Sequence, residues 1–462
     1  MNEIKHKEVP GMFEGGMYGL LARLSLPILA GMVVQLLYNI VDTAFISLID
    51  KSDPSYIGGT GMVFPLIFFA ISLASGIMTG VGSVVARAIG GKNHGALNMA
   101  ADSALAMGFG LGAIILVVGY FTAEPLVKML GADGDYYTHG LAYLRYMLPF
   151  AALMVALHAV AGIFQGEGKM NRIMVAMMIG TVCNIILDPV FIFVLDLGVR
   201  GAALASVAGQ SIAFMYVLSA LGAEDNAVRV EWKLSHVSFK LMGDIATVGF
   251  PMALSQMAMA LSMVFFNRII IDIDKQAMAA FALVGRFDQA VLMPIFALSS
   301  AMITVVGQNA GRGSFGRVRL AWKSGVILGG GVVFLLALTH IVIAPWLYRS
   351  FSDVPAVIDY CVRQTRILEF SFLFAVIGII GRSVFQAIGH PFPALILTVV
   401  RTLAIGVPLA ALFAYTFDMD INGVYFGLLT GNVLTACVGL LWISSALRRL
   451  EKGELEVVST KA

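Results

Sequence analysis

Asp42 is the one carboxylate in the otherwise apolar or weakly polar run LLYNIVDTAFISL (36–48). Gln35, Tyr38, Asn39 and Asp42 fall at i, i+3, i+4 and i+7, one face of a helix. A second polar pair stands in TVCNIILDPVFIF (181–193), where Asn184 and Asp188 are one turn apart. Pro189 follows; it has no amide hydrogen, so the helix is expected to kink there and leave a carbonyl acceptor free. In RGAALASVAGQ (200–210), Ala202 and Ser206 share a face, and small residues let helices approach closely. Two carboxylates, an amide oxygen, a hydroxyl and freed carbonyls form an oxygen set that suits a hard cation such as Na⁺. The same acids suit a proton, because two carboxylates in a low-dielectric site do not both ionise easily and titrate as a pair. The blander alternative for Asp42 is a carboxylate satisfied by helix–helix hydrogen bonds.

The elements that carry these residues are set by composition. Apolar residues make up 59% of the chain and charged residues 13%, against about 45–50% and 25% in soluble domains. The chain is therefore expected to be an all-α polytopic membrane protein. Cutting it at charge and Gly/Pro clusters yields about twelve stretches long enough to cross a bilayer. They lie near 18–47, 57–88, 97–121, 138–165, 170–195, 200–222, 240–271, 277–309, 317–347, 356–387, 393–416 and 423–447. An Asp at the centre of such a helix costs about 2.5–3.5 kcal/mol, so the polar stripe is expected to face protein or a water-filled cavity. Lys5 and Lys7 precede the first span, which is too long for a cleaved signal. Cys183, Cys361 and Cys437 have no metal spacing and suggest no disulfide framework, and no basic run points to nucleic acid.

Lys/Arg bias places both termini and the linker AEDNAVRVEWKLSHVSFK (223–240) on the cytoplasmic side of a plasma membrane, the inner membrane in a bacterium. The chain also repeats itself. SVVARAIGGKN (83–93) aligns with TVVGQNAGRGS (304–314), and 144–170 aligns with 365–391 at the same offset of 221. The expected organisation is an N-terminal six-helix lobe (1–222), the linker (223–240), a C-terminal six-helix lobe (241–451) and a tail (452–462). Two parallel repeats of this kind build many secondary transporters. The acids are confined to the first repeat: Asp188 aligns with Leu409, and Asp42 with Phe266 or Asn267. The matching face of the seventh helix carries Gln256, Met259 and Met263, and methionine adapts to varied ligands.

The repeat, the P…YN.VDT pattern of the first helix, FQG.G (164–168), NIILDP (184–189), GAALAS (201–206) and GQNAG (307–311) together resemble the multidrug and toxic compound extrusion (MATE) transporters, most closely the DinF-type branch. The resemblance covers nearly the whole chain. It implies a fold of two six-helix bundles and export of amphipathic, cationic small molecules in exchange for Na⁺ or H⁺. It implies that Asp42 is the central coupling acid and that Asn184, Asp188, Ala202 and Ser206 are associated with the cation. Ser206 stands where the family pattern has Thr, keeping the hydroxyl and losing a methyl. Gln35, Tyr38, Asn39, Gln256, Met259 and Met263 are expected to face the substrate. No cofactor is expected, and the expected partners are small amphipathic molecules and membrane lipid, with the chain acting as a monomer. A lipid-linked precursor flippase of the same superfamily is the alternative; an enzyme is not expected, since no nucleophile–base pair, phosphate loop or HExxH is present. Glu369 is expected to pair with Arg366, one turn away, or with Arg401, and Arg286 and Asp288 to lie at an interface. His158 stands alone.

Overall fold

The structure is a computed structural model that describes residues 9–49 and 55–458. Lys5, Lys7, Asp50, Lys51, Asp53 and the last four residues of the tail lie outside them, as does the side chain of Asn39. The described residues are helical, with no strand among them. Successive spans are α1 (Met17–Ser47), α2 (Phe64–Gly90), α3 (His94–Met129), α4 (Gly134–Glu167), α5 (Met170–Pro189), α6 (Gly198–Leu221), α7 (Phe239–Ile273), α8 (Lys275–Gly311) and α9 (Phe315–Arg349). The tenth span, α10, is broken into Pro355–Leu368 and Ser371–Ala387, which meet at 55°. Then come α11 (Phe392–Thr416) and α12 (Asp420–Glu451). Eleven unbroken helices and one bent pair make up to twelve crossings. The second predicted span differs at its start, where a short helix, Ser55–Met62, precedes α2.

The repeat is visible in backbone detail. Gly168 (φ 82°) and Gly389 (φ 86°) end α4 and α10 in the left-handed region, which a side chain disfavours. The next residue closes the same cap in each: Lys169 N–H donates to Phe164 O at 2.8 Å, and His390 N–H to Phe385 O at 2.9 Å. The expected kink at Pro189 takes the form of a widened turn, Val190–Val194, and Leu412–Thr416 is widened at the corresponding place. Beyond each turn a glycine admits the neighbouring helix. A Cβ on Gly201 would lie 2.5 Å from Phe191 O, and one on Gly423 would lie 2.5 Å from the Phe413 carbonyl carbon. Neither helix can carry a side chain there without backing away from its neighbour.

Compactness divides the chain within helices α1 and α7. One unit comprises Pro27–Ala253 of the described chain, with α4 its most buried span; the other comprises Pro10–Leu26 and Leu254–Val458, with α8 most buried. The 223–240 stretch is tied to the first unit. Glu167 Oε1 accepts Val228 N–H at 2.8 Å, Asn98 Oδ1 accepts Arg229 N–H at 3.0 Å, and Asp102 Oδ1 accepts Trp232 N–H at 3.2 Å. Lys169 and Arg172 both reach Asp225 and Asn226.

Candidate functional site

In the first unit, α1, α5 and α6 bring four side chains into one hydrogen-bonded line. Tyr38 OH lies 3.1 Å from Ser206 Oγ. The Asn184 amide touches both Ser206 Oγ and Asp188, at 3.1 and 3.3 Å. Turning the amide over satisfies both its ends. Its nitrogen then donates to Asp188 Oδ2 at 3.0 Å, and its oxygen accepts from Ser206 N–H and Oγ–H, each at 3.1 Å. The Ser206 proton is thereby committed to Asn184, so Tyr38 donates to Ser206. Every donor in the line points toward the Asp188 carboxylate, which is fully buried.

Asp42 adds the second charge. Its carboxylate acts electrostatically on Asp188, on Tyr38 and on the buried Tyr143 of α4. Asp42 Oδ1 is buried and has no hydrogen-bond partner among the described residues. The site therefore holds two carboxylates, one of them with a free oxygen, together with an amide and two hydroxyls.

Close helix approach makes this possible. A Cβ on Gly209 of α6 would lie 2.6 Å from Gly180 O and 3.2 Å from Asn184 N, so α6 lies directly against α5 beside the polar line. Ala202, one turn before Ser206, is fully buried in an apolar cluster with Ile46, Tyr143 and Ile192.

The other expected residues are distributed as follows. Gln35 is exposed on α1. Gln256 and Met259 are partly buried on α7 in the second unit, and Met263 is 49% exposed there. His158 Nδ1 bonds the Met154 carbonyl at 2.8 Å.

The second unit holds a constellation that sequence spacing did not reveal. Glu369 does not pair with Arg366, which is exposed, nor with Arg401. It sits fully buried at the break in α10 and bonds His340 Nδ1 of α9. Asp288, on α8, brings its carboxylate up to that of Glu369. The ligand atoms of Asp288, His340 and Glu369 lie within 4.8 Å of one another, a set able to hold a metal ion. Neighbouring hydroxyls fix the imidazole. Thr365 donates to the Cys361 carbonyl at 2.9 Å, so Tyr348 donates to Thr365 at 2.9 Å, and His340 Nε2–H donates to Tyr348 at 2.8 Å. That leaves Nδ1 facing the acids. Three helices contribute, far apart in sequence.

Comparison with known proteins bears on both halves. The MatE family model matches residues 27–190 and again residues 251–412. The multidrug export protein MepA of Staphylococcus aureus (strain NCTC 8325 / PS 47) is 23% identical over 435 residues, 94% of this chain and 95% of MepA. Among solved structures, the MATE transporter ClbM in complex with Rb⁺ is 35% identical, with a TM-score of 0.85 over 97% of this chain and 100% of that one. An outward-facing multidrug resistance MATE family transporter of the MOP superfamily is 28% identical, with a TM-score of 0.91 over 96% and 100% of the two chains. The two matched segments together cover more than half of the chain and fall one on each arm of its internal repeat: the chain belongs to the MatE family.

Proposed function

We propose that the chain is a multidrug efflux transporter of the DinF-type branch that exports amphipathic, cationic drugs or toxic metabolites in exchange for a cation held by Asp42, Asn184, Asp188, Ser206 and the Ala202 carbonyl. The observation that carries this proposal is the directed line from Tyr38 to Asp188 beside the partner-free oxygen of Asp42. Sodium is favoured over the proton as the coupling ion. An amide and a hydroxyl are good neutral ligands for Na⁺ and would add little to a proton relay. The name of the structural relative bound to Rb⁺ is in keeping with cation binding.

In this proposal the halves 1–222 and 241–451 act as two six-helix lobes of a monomer in the plasma membrane, with the linker and both termini cytoplasmic. Gln35, Tyr38, Asn39, Gln256, Met259 and Met263 are the residues proposed to contact substrate. Export of a fluorescent lipophilic cation from proteoliposomes, driven in turn by a Na⁺ gradient and by a pH gradient, tests the coupling. A rate indifferent to Na⁺ at fixed pH removes sodium and leaves the two carboxylates as a proton site.

A further inference from the structure

The second unit contains a cleft between the second half of α10, α11 and α12, and two arginines line it. Arg382 comes from α10 and Arg401 from α11. The Arg401 guanidinium acts electrostatically on that of Arg382. No lining residue is acidic. Arg382 is 8% exposed, and its Nε has no hydrogen-bond partner among the described residues. Asn432, Thr398 and Thr435 add polar groups, and Thr435 Oγ1 is also unpartnered there. Phe374, Ile379 and Leu397 form the apolar wall.

Two like charges lining one cleft, one buried and one partly buried, with no acidic lining residue, are costly to hold. An anion placed between them removes the repulsion and supplies acceptors for guanidinium donors built to grip an oxyanion in a fork. The cleft also has the make-up of small-ligand sites, which pair an apolar wall with a few placed polar groups. Arg401 sits in a widened turn, Val400–Gly406, a backbone form common at functional sites. The repeat sharpens the contrast. At the offset of 221, Arg382 corresponds to Ala161 and Arg401 to Gly180, whereas Asp188 corresponds to Leu409. The same helix trio carries acid in the first repeat and base in the second.

We propose that this cleft binds the oxyanion of an amphipathic molecule, a carboxylate or a phosphate ester, with Arg382 and Arg401 on the anion and the apolar body against Phe374, Ile379 and Leu397. The site is independent of the cation-coupling assignment of the first unit. Its occupant is either an anionic substrate or an anionic lipid headgroup, which share this chemistry.

The test is calorimetric titration of the full chain in a neutral maltoside detergent with cholate, with a short-chain phosphatidate and with a monoacylglycerol of matched length. Saturable binding of cholate or phosphatidate is expected, at least tenfold weaker in Arg382→Gln and in Arg401→Gln and unchanged in Asp42→Asn. Preference for cholate marks a substrate anion, and preference for phosphatidate a lipid headgroup. Arg401→Lys, which keeps the charge and loses the fork, is expected to fall between wild type and Arg401→Gln. The bound anion is expected to raise the melting temperature of wild type and not of the two glutamine variants, which remain folded because they shed an unpaired charge. The proposal is overturned if neither anion binds saturably, if the monoacylglycerol binds as well as they do, or if the glutamine variants bind the anion like wild type.

Discussion

Ser206→Ala separates the two cations open to the site in the first unit. The hydroxyl touches Tyr38 OH and the Asn184 amide, each at 3.1 Å. Removing it leaves both buried groups one partner short. Each lost bond is worth about 1 kcal/mol net, and a hydroxyl that also contacts a cation about 1.5–3 kcal/mol. A sodium site is therefore expected to weaken by about 1.5–3 kcal/mol, roughly a 10- to 150-fold rise in the Na⁺ concentration giving half-maximal export. Ser206→Thr keeps the oxygen and is expected to stay within about threefold of wild type, since a well-packed site accommodates one added methyl at a modest cost. The assay is dye export from proteoliposomes over a range of external Na⁺ at fixed pH, with protein amount and melting temperature measured alongside. A proton site makes a different prediction, because the carboxylates remain: Ser206→Ala then exports at nearly the wild-type rate at every Na⁺ concentration. Ser206→Ala and Ser206→Thr failing alike, with both folded, would falsify the assignment of the hydroxyl as a ligand.

Asp42→Asn keeps volume and loses the exchangeable charge; it is expected to abolish export while leaving yield and melting unchanged, and wild-type drug resistance in cells making normal amounts of it would reduce Asp42 to a structural residue. Glu369→Ala leaves His340 and Asp288 buried without their partner and is expected to destabilise the protein by about 3–5 kcal/mol, read as a large drop in melting temperature; a drop no greater than that of a surface alanine variant would show that the cluster is not structural. Burial pushes the Asp225 carboxyl up, but Lys169 and Arg172 outweigh it and leave its pKa lowered. A lowered folded-state pKa gives stability that is present above the unfolded value, about 3.9, and lost as pH falls through the folded value. The side chain is 59% exposed, so solvent screening limits the gain to about 1 kcal/mol. Asp225→Asn is thus expected to melt slightly earlier at pH 7 and to match wild type in acid below the folded pKa; an equal difference at both pH values would locate the effect elsewhere.

Spacing along one helix was legible, and meetings between helices were not. Asn184 and Asp188 declare a shared face by lying four residues apart, and Pro189 announces a disturbance after them. Nothing in the sequence says that Tyr38 reaches Ser206, because that contact depends on how closely α1 lies against α6. Glu369 shows the limit most clearly. On a continuous helix Arg366 is its natural partner, three residues back. The helix breaks at Glu369 instead, with neither proline nor glycine in Leu368–Ser371 to signal it, and the carboxylate turns to His340 on α9. Arg382 and Arg401 likewise come from different helices and meet only across the cleft. Charges were easy to find and hard to pair, since pairing within a membrane is decided by tertiary packing and not by sequence distance.

The paired widened turns and their glycines carry a historical consequence. Phe191 against Gly201 and Phe413 against Gly423 are the same backbone contact made twice. Duplication of an ancestral half copies such a contact wholesale, and steric necessity then preserves both copies. Side chains pointing into the space so framed are under no such constraint. One copy was free to acquire Asp188 while the other held Leu409, and one to acquire Arg401 while the other held Gly180. Mutational tolerance should accordingly run in parallel at the two glycines and diverge at the ligand-facing positions. If both proposed sites hold, a single inherited frame supports two chambers of opposite charge, and each can change its cargo without the other having to follow.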